Sequence, residues 1–223
     1  AVTPEGRISY ADLGLWSDEH IPPLARIVSF LRSQGAAAGI QIGHAGRKAS
    51  SAVWWRGRFD ETAIEKPLVG FEDCPTVGPS AIPHAQKSAE YKVPHALTPS
   101  EMDDIRAAFV AAAQRADRAG FDLVEVHSAH GYLLHQFLSP LANQREDAFG
   151  GSLENRMRFP LSVAKAVRDA WPAEKPMFVR ISAQDGIDGG WTVADSIIYA
   201  RALKDIGADL IDCSSGGFEG GVF

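Results

Sequence analysis

The chain repeats one local pattern three times, and this repeat restricts the folds that it can adopt. Each copy is a helical segment that ends in a glycine and continues as a short apolar strand, as in "LARIVSFLRSQGAAAGIQIGHAG", "AAFVAAAQRADRAGFDLVEVHSAHG" and "ARALKDIGADLIDCSSGG". Gly120 and Gly207 in the last two copies lie where a helix C-cap needs a positive φ angle. Strands that alternate with helices predict a parallel sheet covered by helices.

Capping signals and apolar runs give the approximate limits of these elements. Thr98 and Glu101 have the spacing of a capping box, and Ser17 and Thr192 are suited to cap two other helices. A further helix is predicted over Leu153–Trp171. The predicted strands cover residues 38–43, 122–127, 176–182 and 209–213.

The ends of these strands favour a (β/α)8 TIM barrel over a doubly wound sheet. No G-x-G-x-x-G sequence follows an early strand, as the doubly wound dinucleotide fold requires. A barrel places its chemistry at the carboxyl ends of several strands, and polar residues occur there at Gln41, His127, Arg180 and Ser214. Since a barrel has eight strands, residues 1–223 are expected to form a single domain that carries only the middle strands, about four, and is incomplete at both ends.

Composition and charge argue against several classes of function. The chain has 223 residues and a formal net charge of −6 without a basic block, so nucleic acid is not an expected partner. No apolar run reaches the roughly 20 residues that a membrane helix needs, so no membrane association is expected. The cysteines, Cys74 and Cys213, provide neither a metal-type spacing nor a disulfide framework. A reducing, cytoplasmic location is therefore expected.

The stretch "DLVEVHSAHGYLLHQFLSP" places His127, His130 and Tyr132 at the end of a predicted strand. A metal site would need a third ligand such as His44 or Glu125, and the H-E-x-x-H pattern of zinc helices is absent. A packed turn or a site for an organic ligand would need no further residue. Two neutral imidazoles can each donate one N–H to a single ligand oxygen, and a tyrosine can supply a proton. The pattern favours polarisation of a carbonyl group and protonation of a neighbouring carbon.

The longer segment "VEVHSAHGYLLHQFLSPLANQREDAFGGSLENRMRF" resembles the signature of the Old Yellow Enzyme family of flavin-dependent oxidoreductases. The stretches "DLGLWSDEH", "GIQIGHAGRKA", "FVRISA" and "LIDCSSGG" are similar to its bacterial, thermophilic-type or xenobiotic-reductase branch. The resemblance implies an FMN-containing barrel without a metal. Reduced flavin would pass hydride to the β-carbon of an unsaturated carbonyl or related nitro compound, and NADH or NADPH would re-reduce the flavin. It also implies association into a homo-oligomer.

The same resemblance implies roles for individual residues. His127 and His130 would bind the carbonyl oxygen of the substrate, and Tyr132 would deliver the proton to the α-carbon. Gln41 would hydrogen-bond to the pyrimidine edge of the flavin. Arg180 would lie near N1 and C2=O, where a fixed cation stabilises the reduced, anionic ring.

Plainer interpretations of these residues stay open at this stage. Gln41 would then be a satisfied amide inside the barrel, and Arg180 would form an ion pair with Glu125 or Asp212. For the whole chain there are two alternatives to the flavin enzyme. One is a metal-dependent barrel hydrolase that uses His44 with the histidine pair, and the other is a catalytically silent fragment that associates with another chain.

Residues 50–97 are predicted to form a long irregular loop over the barrel rim, in which Trp54 and Trp55 either cap the site or pack against the rim. The segments that carry the FMN phosphate site in the family have no counterpart in the chain. The chain alone is therefore expected to bind FMN weakly or not at all. Two open sheet edges are expected to promote aggregation or strand exchange.

Overall fold

Four parallel strands form the main sheet of the computed structural model, which describes residues 1–9, 11–51, 75–84 and 92–218. The strands among these residues are β1 (Gly39–Ile42), β2 (Val77–Gly78), β3 (His95–Ala96), β4 (Leu123–Ser128), β5 (Met177–Ser182) and β6 (Leu210–Ser214). β1, β4, β5 and β6 lie side by side in chain order, and their predicted limits are confirmed to within one residue at each end. A strand order that follows the chain is that of a barrel, because a doubly wound sheet reverses its order at a switch point.

Helices connect these strands, and two of them begin at the predicted caps Thr98 and Thr192. The α-helices of the described residues are α1 (Ile21–Ser33), α2 (Pro99–Ala119), α3 (Leu133–Leu138), α4 (Leu153–Ala170) and α5 (Val193–Asp205). Thr98 and Thr192 form complete capping boxes, and Gly120 ends α2 with a φ angle of 93°. Ser17 caps a 3₁₀ turn, Asp18–His20, that leads directly into α1. No helix in the described part of the chain has the length and apolar content of a membrane span.

Side chains of the sheet alternate between an apolar face and a polar face. The parallel register aligns Gln41 with Glu125, and it aligns His127 with Arg180 and then Asp212. Because successive strand residues point to opposite faces, these polar side chains share the face opposite to the helices. The apolar face is formed in part by Val124, Val126, Val179 and Ile181, which are buried.

Tight packing against the apolar face gives the loops of the site a rigid base. The face of α2 that points inward carries small side chains, and Ala112, Ala113 and Ala116 are fully buried. On the side of the site, the rings of Phe137 in α3 and Phe159 in α4 pack with their centroids 4.5 Å apart. Close-packed interiors have low compressibility, so the turn before α3 is attached to a rigidly packed element.

The described part of residues 50–97, which were predicted as an irregular loop, contains one pair of two-residue strands. β2 pairs with β3 in parallel, with Val77 opposite His95. The guanidinium of Arg47 donates to the carbonyl oxygen of Pro83 at 3.1 Å. Trp54 and Trp55 lie outside the described residues, so their predicted position over the site stays a prediction.

Apolar side chains are exposed at both ends of the sheet. Phe30 on α1 is 64% exposed, Ile197 on α5 is 50% exposed, and Leu210 on the edge strand β6 is 44% exposed. Core-type residues on a helix or strand are usually covered by a neighbouring element. The open edges expected at both ends of the sheet stay a prediction.

Candidate active site

A cavity of about 310 Å³ opens at the carboxyl ends of β1 and β4. The predicted site residues in its wall are Gln41, His127, His130 and Tyr132. His44 and the segment before α1 complete much of the remaining wall. Arg180 lies beside His127 in the sheet register. The fold therefore collects all five predicted residues at one end of the sheet.

The two histidines are hydrogen-bonded to each other. The backbone N–H of Ala129 donates to Nδ1 of His127 at 3.2 Å, so the ring proton of His127 lies on Nε2. This Nε2 lies 3.2 Å from Nδ1 of His130, and Nε2 of His130 lies 2.7 Å from Oγ of Ser214. A ligand oxygen can accept the N–H of His127 only if it replaces Nδ1 of His130 as the acceptor. It can accept the N–H of His130 only if it replaces Oγ of Ser214. The predicted convergence of both rings on one oxygen thus requires a local exchange of partners.

Both imidazoles are neutral at physiological pH. Burial lowers the pKa of His127 to about 3, and repulsion from His130 and Arg180 acts in the same direction. Burial and the charge of Arg180 also lower the pKa of His130. A neutral imidazole has one N–H donor and one acceptor nitrogen. The pair can therefore polarise a ligand oxygen without transferring a proton to it.

The turn that carries these groups has a strained backbone with specific partners. His130 has a φ angle of 56°, a left-handed conformation that costs a non-glycine residue about 1–2 kcal/mol. Its N–H donates to Oγ of Ser182 at 2.9 Å, and the N–H of Gly131 donates to Nδ1 of His135 at 2.9 Å. A Cβ atom at Gly131 would lie 2.8 Å from the carbonyl oxygen of Gly217. Contacts from three parts of the chain thus hold the turn.

Tyr132 is the N-cap residue of α3 and lies beside both imidazoles. Its ring is edge-on to His127, with centroids 4.9 Å apart, and 6.4 Å from the ring of His130. The next residue, Leu133, donates its N–H to the carbonyl oxygen of His44 at 3.0 Å, which ties the start of α3 to the loop after β1. The ammonium of Lys48 lies 4.9 Å from the centroid of the Tyr132 ring.

Four polar side chains form a row on the inward face of the sheet, which we call the polar row: Gln41, Glu125, Arg180 and Asp212. Nε2 of Gln41 donates to Oε2 of Glu125 at 2.6 Å, and Arg180 forms an ion pair with Asp212. Burial raises the pKa of Glu125, while the hydrogen bond from Gln41 opposes this shift and repulsion from Asp212 adds to it. The satisfied amide and the ion pair considered for Gln41 and Arg180 are both present.

Behind the turn, His135 and Asp185 form a fully buried pair that the sequence pattern did not single out. Their side chains are both 0% exposed, and Nε2 of His135 lies 2.9 Å from Oδ1 of Asp185. Oδ2 accepts from Oγ of Ser139 at 2.6 Å and from the N–H of Trp191 at 2.7 Å. Burial opposes ionisation of Asp185, but the contact with His135 and these hydrogen bonds hold its pKa below the usual value. The sequence signal that could have identified this pair is His135, the third histidine of the stretch "DLVEVHSAHGYLLHQFLSP".

His44 is buried in the cavity wall. Its Nδ1 accepts from the N–H of Gly46 at 3.0 Å, and its Nε2 has no hydrogen-bond partner among the described residues. Burial lowers the pKa of His44 to about 3. Within the described ranges, no three His, Cys, Asp or Glu side chains are grouped so as to hold a metal ion.

Comparison with known proteins agrees with the resemblance of the sequence. Residues 1–218 match the model of the family described as "NADH:flavin oxidoreductase / NADH oxidase family". An NADPH dehydrogenase of Bacillus velezensis is 45% identical over 216 residues, which are 97% of this chain and 56% of that protein. The chain thus spans about half the length of the curated relatives that it matches.

Solved structures show the same fold. Morphinone reductase has a TM-score of 0.79 at 27% identity, and the match covers 100% of this chain and 59% of that chain. An Old Yellow Enzyme homologue from Zymomonas mobilis has a TM-score of 0.75 at 26% identity, covering 95% of this chain and 57% of that chain. The predicted (β/α)8 fold is confirmed, with the four-stranded sheet as part of the barrel. The chain belongs to the NADH:flavin oxidoreductase / NADH oxidase family, which its resemblance to the Old Yellow Enzymes had predicted.

Proposed function

We propose that this chain forms the substrate-activating part of an FMN-dependent ene-reductase that acts on α,β-unsaturated carbonyl and related nitro compounds. The observation that carries the proposal is the position of two neutral imidazoles and one phenol around a single cavity, with His127, His130 and Tyr132 within one turn of the chain. Membership of a flavin oxidoreductase family and similarity to an NADPH dehydrogenase support it.

The inward-facing side chains fit the polar edge of a flavin. The amide of Gln41 and the guanidinium of Arg180 lie on the ligand side of the sheet, and the buried Nε2 of His44 adds a donor without a partner among the described residues. FMN bound there would supply the hydride, and NADPH or NADH would restore its reduced form. Gln41 would bind the pyrimidine edge and Arg180 would stabilise negative charge on the ring, which requires them to share or leave Glu125 and Asp212.

The imidazoles would polarise the substrate. A carbonyl oxygen that replaces Nδ1 of His130 as acceptor receives the Nε2 proton of His127 in a hydrogen bond, and release from Ser214 frees the N–H of His130. Charge that develops on this oxygen withdraws electrons from the β-carbon, which therefore accepts the hydride. One donor aimed at such an oxygen typically lowers the barrier by about 3–4 kcal/mol.

Tyr132 would complete the reaction. Its Oη–H bond breaks as a C–H bond forms at the α-carbon, so hydride and proton together reduce the C=C bond to a single bond. The phenolate then takes a proton from solvent. A phenol suits this step because it is protonated at neutral pH and next to two neutral imidazoles, which leave its proton in place.

The test is the anaerobic reduction of 2-cyclohexenone by the protein loaded with reduced FMN. The reaction is monitored by the absorbance of the flavin as it is reoxidised. It is made on this chain and, in parallel, on the longest natural polypeptide that contains it. Tyr132→Phe is expected to slow flavin reoxidation by about 10²–10⁴-fold with little change in enone binding. His127→Ala is expected to weaken enone binding and also to slow the reaction.

The matched control is Tyr199→Phe. It removes a phenol hydroxyl that lies outside the cavity, 3.2 Å from Oγ of Ser128. Its rate is expected to equal that of the wild type. A wild-type rate in Tyr132→Phe, or a reduced flavin that does not react with the enone in either polypeptide, would overturn the proposal.

A further inference from the structure

Lys48 links three segments around the candidate active site. It lies in the 3₁₀ turn Gly46–Lys48 after β1. Its Nζ donates to the carbonyl oxygen of His130 at 2.9 Å and to that of Gly217 at 2.7 Å. The loops after β1, β4 and β6 therefore meet at one ammonium group.

The same ammonium lies against the proposed proton donor. Nζ of Lys48 is 4.9 Å from the centroid of the Tyr132 ring, within the range of a cation–π contact. The other titratable groups of the described residues at this site are His127 and His130 beside Tyr132, and His44, Asp12 and the Ala1 amino group in the cavity wall. The guanidinium of Arg180 is a further positive charge that acts on both histidines of the pair. Burial keeps His127 and His44 neutral at pH 7, so the positive charges at the site come from Lys48, Arg180 and the Ala1 amino group. Of these three, Lys48 is the one with a cation–π contact to the Tyr132 ring among the described contacts.

We propose that Lys48 is a positioning residue of this site: it holds the His130–Gly131 turn, and its charge stabilises the phenolate that Tyr132 becomes after it gives up its proton. The catalytic part of this inference rests on the proposed function, in which Tyr132 is the proton donor. A nearby positive charge favours the ionised form of an acid, and a phenolate ring attracts a cation over its face more strongly than a phenol ring does because it carries more negative charge. Lys48 therefore makes Tyr132 a stronger acid while fixing the carbonyl oxygen of His130, the strained residue two positions before it.

The hydrogen bonds and the charge of Lys48 act on different observables. The bonds to the carbonyls of His130 and Gly217 affect the geometry of the turn, and a neutral donor replaces them in part. The charge acts on the ionisation of the phenol, which a purely structural role of Lys48 would leave unchanged. The decisive measurement is therefore the titration of Tyr132.

The experiment is a pH titration of this chain labelled with ¹³Cζ-tyrosine, with the Tyr132 signal assigned from Tyr132→Phe. Lys48→Gln keeps a hydrogen-bond donor without the charge, and its Tyr132 midpoint is expected about one pH unit above that of the wild type. In Lys48→Arg the midpoint is expected to fall below the wild type, because guanidinium stays charged where a lysine loses its proton.

The matched control is Lys175→Gln, since Lys175 also lies over an aromatic ring, that of Trp171 at 5.3 Å, but outside the site. Its Tyr132 midpoint is expected to equal the wild-type value. Equal midpoints in wild type, Lys48→Gln and Lys48→Arg would overturn the inference. If Lys48→Gln does not fold, a Lys48→Arg midpoint at or above the wild type would overturn it as well.

This titration needs neither flavin nor enone, so its outcome is independent of the proposed function. A shifted midpoint together with normal turnover in Tyr132→Phe would sustain the effect of Lys48 on the phenol and remove the proton-donor role. An unshifted midpoint together with slow turnover in Tyr132→Phe would remove the effect of Lys48 on the phenol and sustain the proton-donor role of Tyr132.

Discussion

The His130–Gly131 turn and the polar row lie next to each other, but they are held in different ways. The turn is bonded through its backbone to Ser182, His135 and Lys48, so its side chains need no movement of the main chain to act. The polar row consists of side chains that satisfy one another across the sheet, as in the pairs from Gln41 to Glu125 and from Arg180 to Asp212. The main chain of the turn is therefore fixed, although its two imidazoles pair with each other and with Ser214. In the row, the proposed binding of a ligand requires Gln41 and Arg180 to share or leave their present partners.

Acid is expected to have the largest effect, and to act on the buried histidines of the site. The pKa values of His44 and His127 lie near 3 in the folded chain, against an ordinary 6.5. The unfolded chain therefore binds protons that the folded chain does not, so the stability from these rings is present above pH 6.5 and is lost as the pH falls towards 3. We expect the free energy of unfolding to fall by up to about 1.4 kcal/mol per pH unit for each ring.

Urea denaturation at several pH values measures this slope. Glutamine keeps hydrogen-bonding capacity without a titrating ring, so His127→Gln and His44→Gln are each expected to reduce the slope. A wild-type slope in both variants would contradict the proposed origin of the acid sensitivity.

Removal of the carboxylate behind the turn is expected to have the next largest effect. Asp185→Ala leaves His135, Ser139 and the N–H of Trp191 without their buried partner. Each buried donor left without its acceptor typically costs about 1–3 kcal/mol. Asp185→Asn keeps the shape and one acceptor and should lose less. Equal unfolding free energies for the alanine variant and the wild type would show that the turn does not depend on this pair.

Alanine substitutions at two glycines with similar positive φ angles separate the cost of backbone strain from the cost of steric overlap. Gly131 has a φ angle of 69° and Gly189 one of 75°, but only at Gly131 would a Cβ atom meet a backbone oxygen, at 2.8 Å. Gly189→Ala should cost about 1 kcal/mol from its conformation alone. Gly131→Ala should cost about 1–3 kcal/mol more because of the overlap, as measured by urea denaturation. Equal costs would mean that the loop after β6 moves away freely.

The smallest effects are expected in the polar row. Arg180 and Asp212 are each about a third exposed, so Asp212→Asn should lower the free energy of unfolding by about 0–1 kcal/mol. Glu125 has a raised pKa, so its ionised form is disfavoured in the folded chain and its contribution to stability is lost as the pH rises through that pKa. Glu125→Gln should therefore keep or slightly raise stability at pH 7. A large loss of unfolding free energy in either variant would show that the pairs of the polar row stabilise the fold and are not free to exchange partners with a ligand.

The predicted strands and the caps at Thr98, Thr192 and Gly120 were correct because their causes are local, whereas Ser17 caps the 3₁₀ turn before α1 and not α1 itself. Thr98 caps α2 through a residue three positions away, and Gly120 ends that helix by its own backbone conformation. His127, His130 and Tyr132 were predicted as one site for a similar reason, since they are close in sequence and follow a buried strand. The motif also identified Gln41 and Arg180, which the parallel register places on the same face of the sheet.

The sequence by itself determined the β/α pattern, the family and the residues that surround the cavity, because periodicity, capping and a continuous motif are all local in the chain. Only the tertiary structure decided which partner each of these residues has. Ser214 and Lys48 reach His130 from 84 and 82 positions away, and Asp185 reaches His135 from 50 positions away. Such contacts depend on the register of neighbouring strands and on packing between loops, where a shift of one residue would point each side chain to the opposite face.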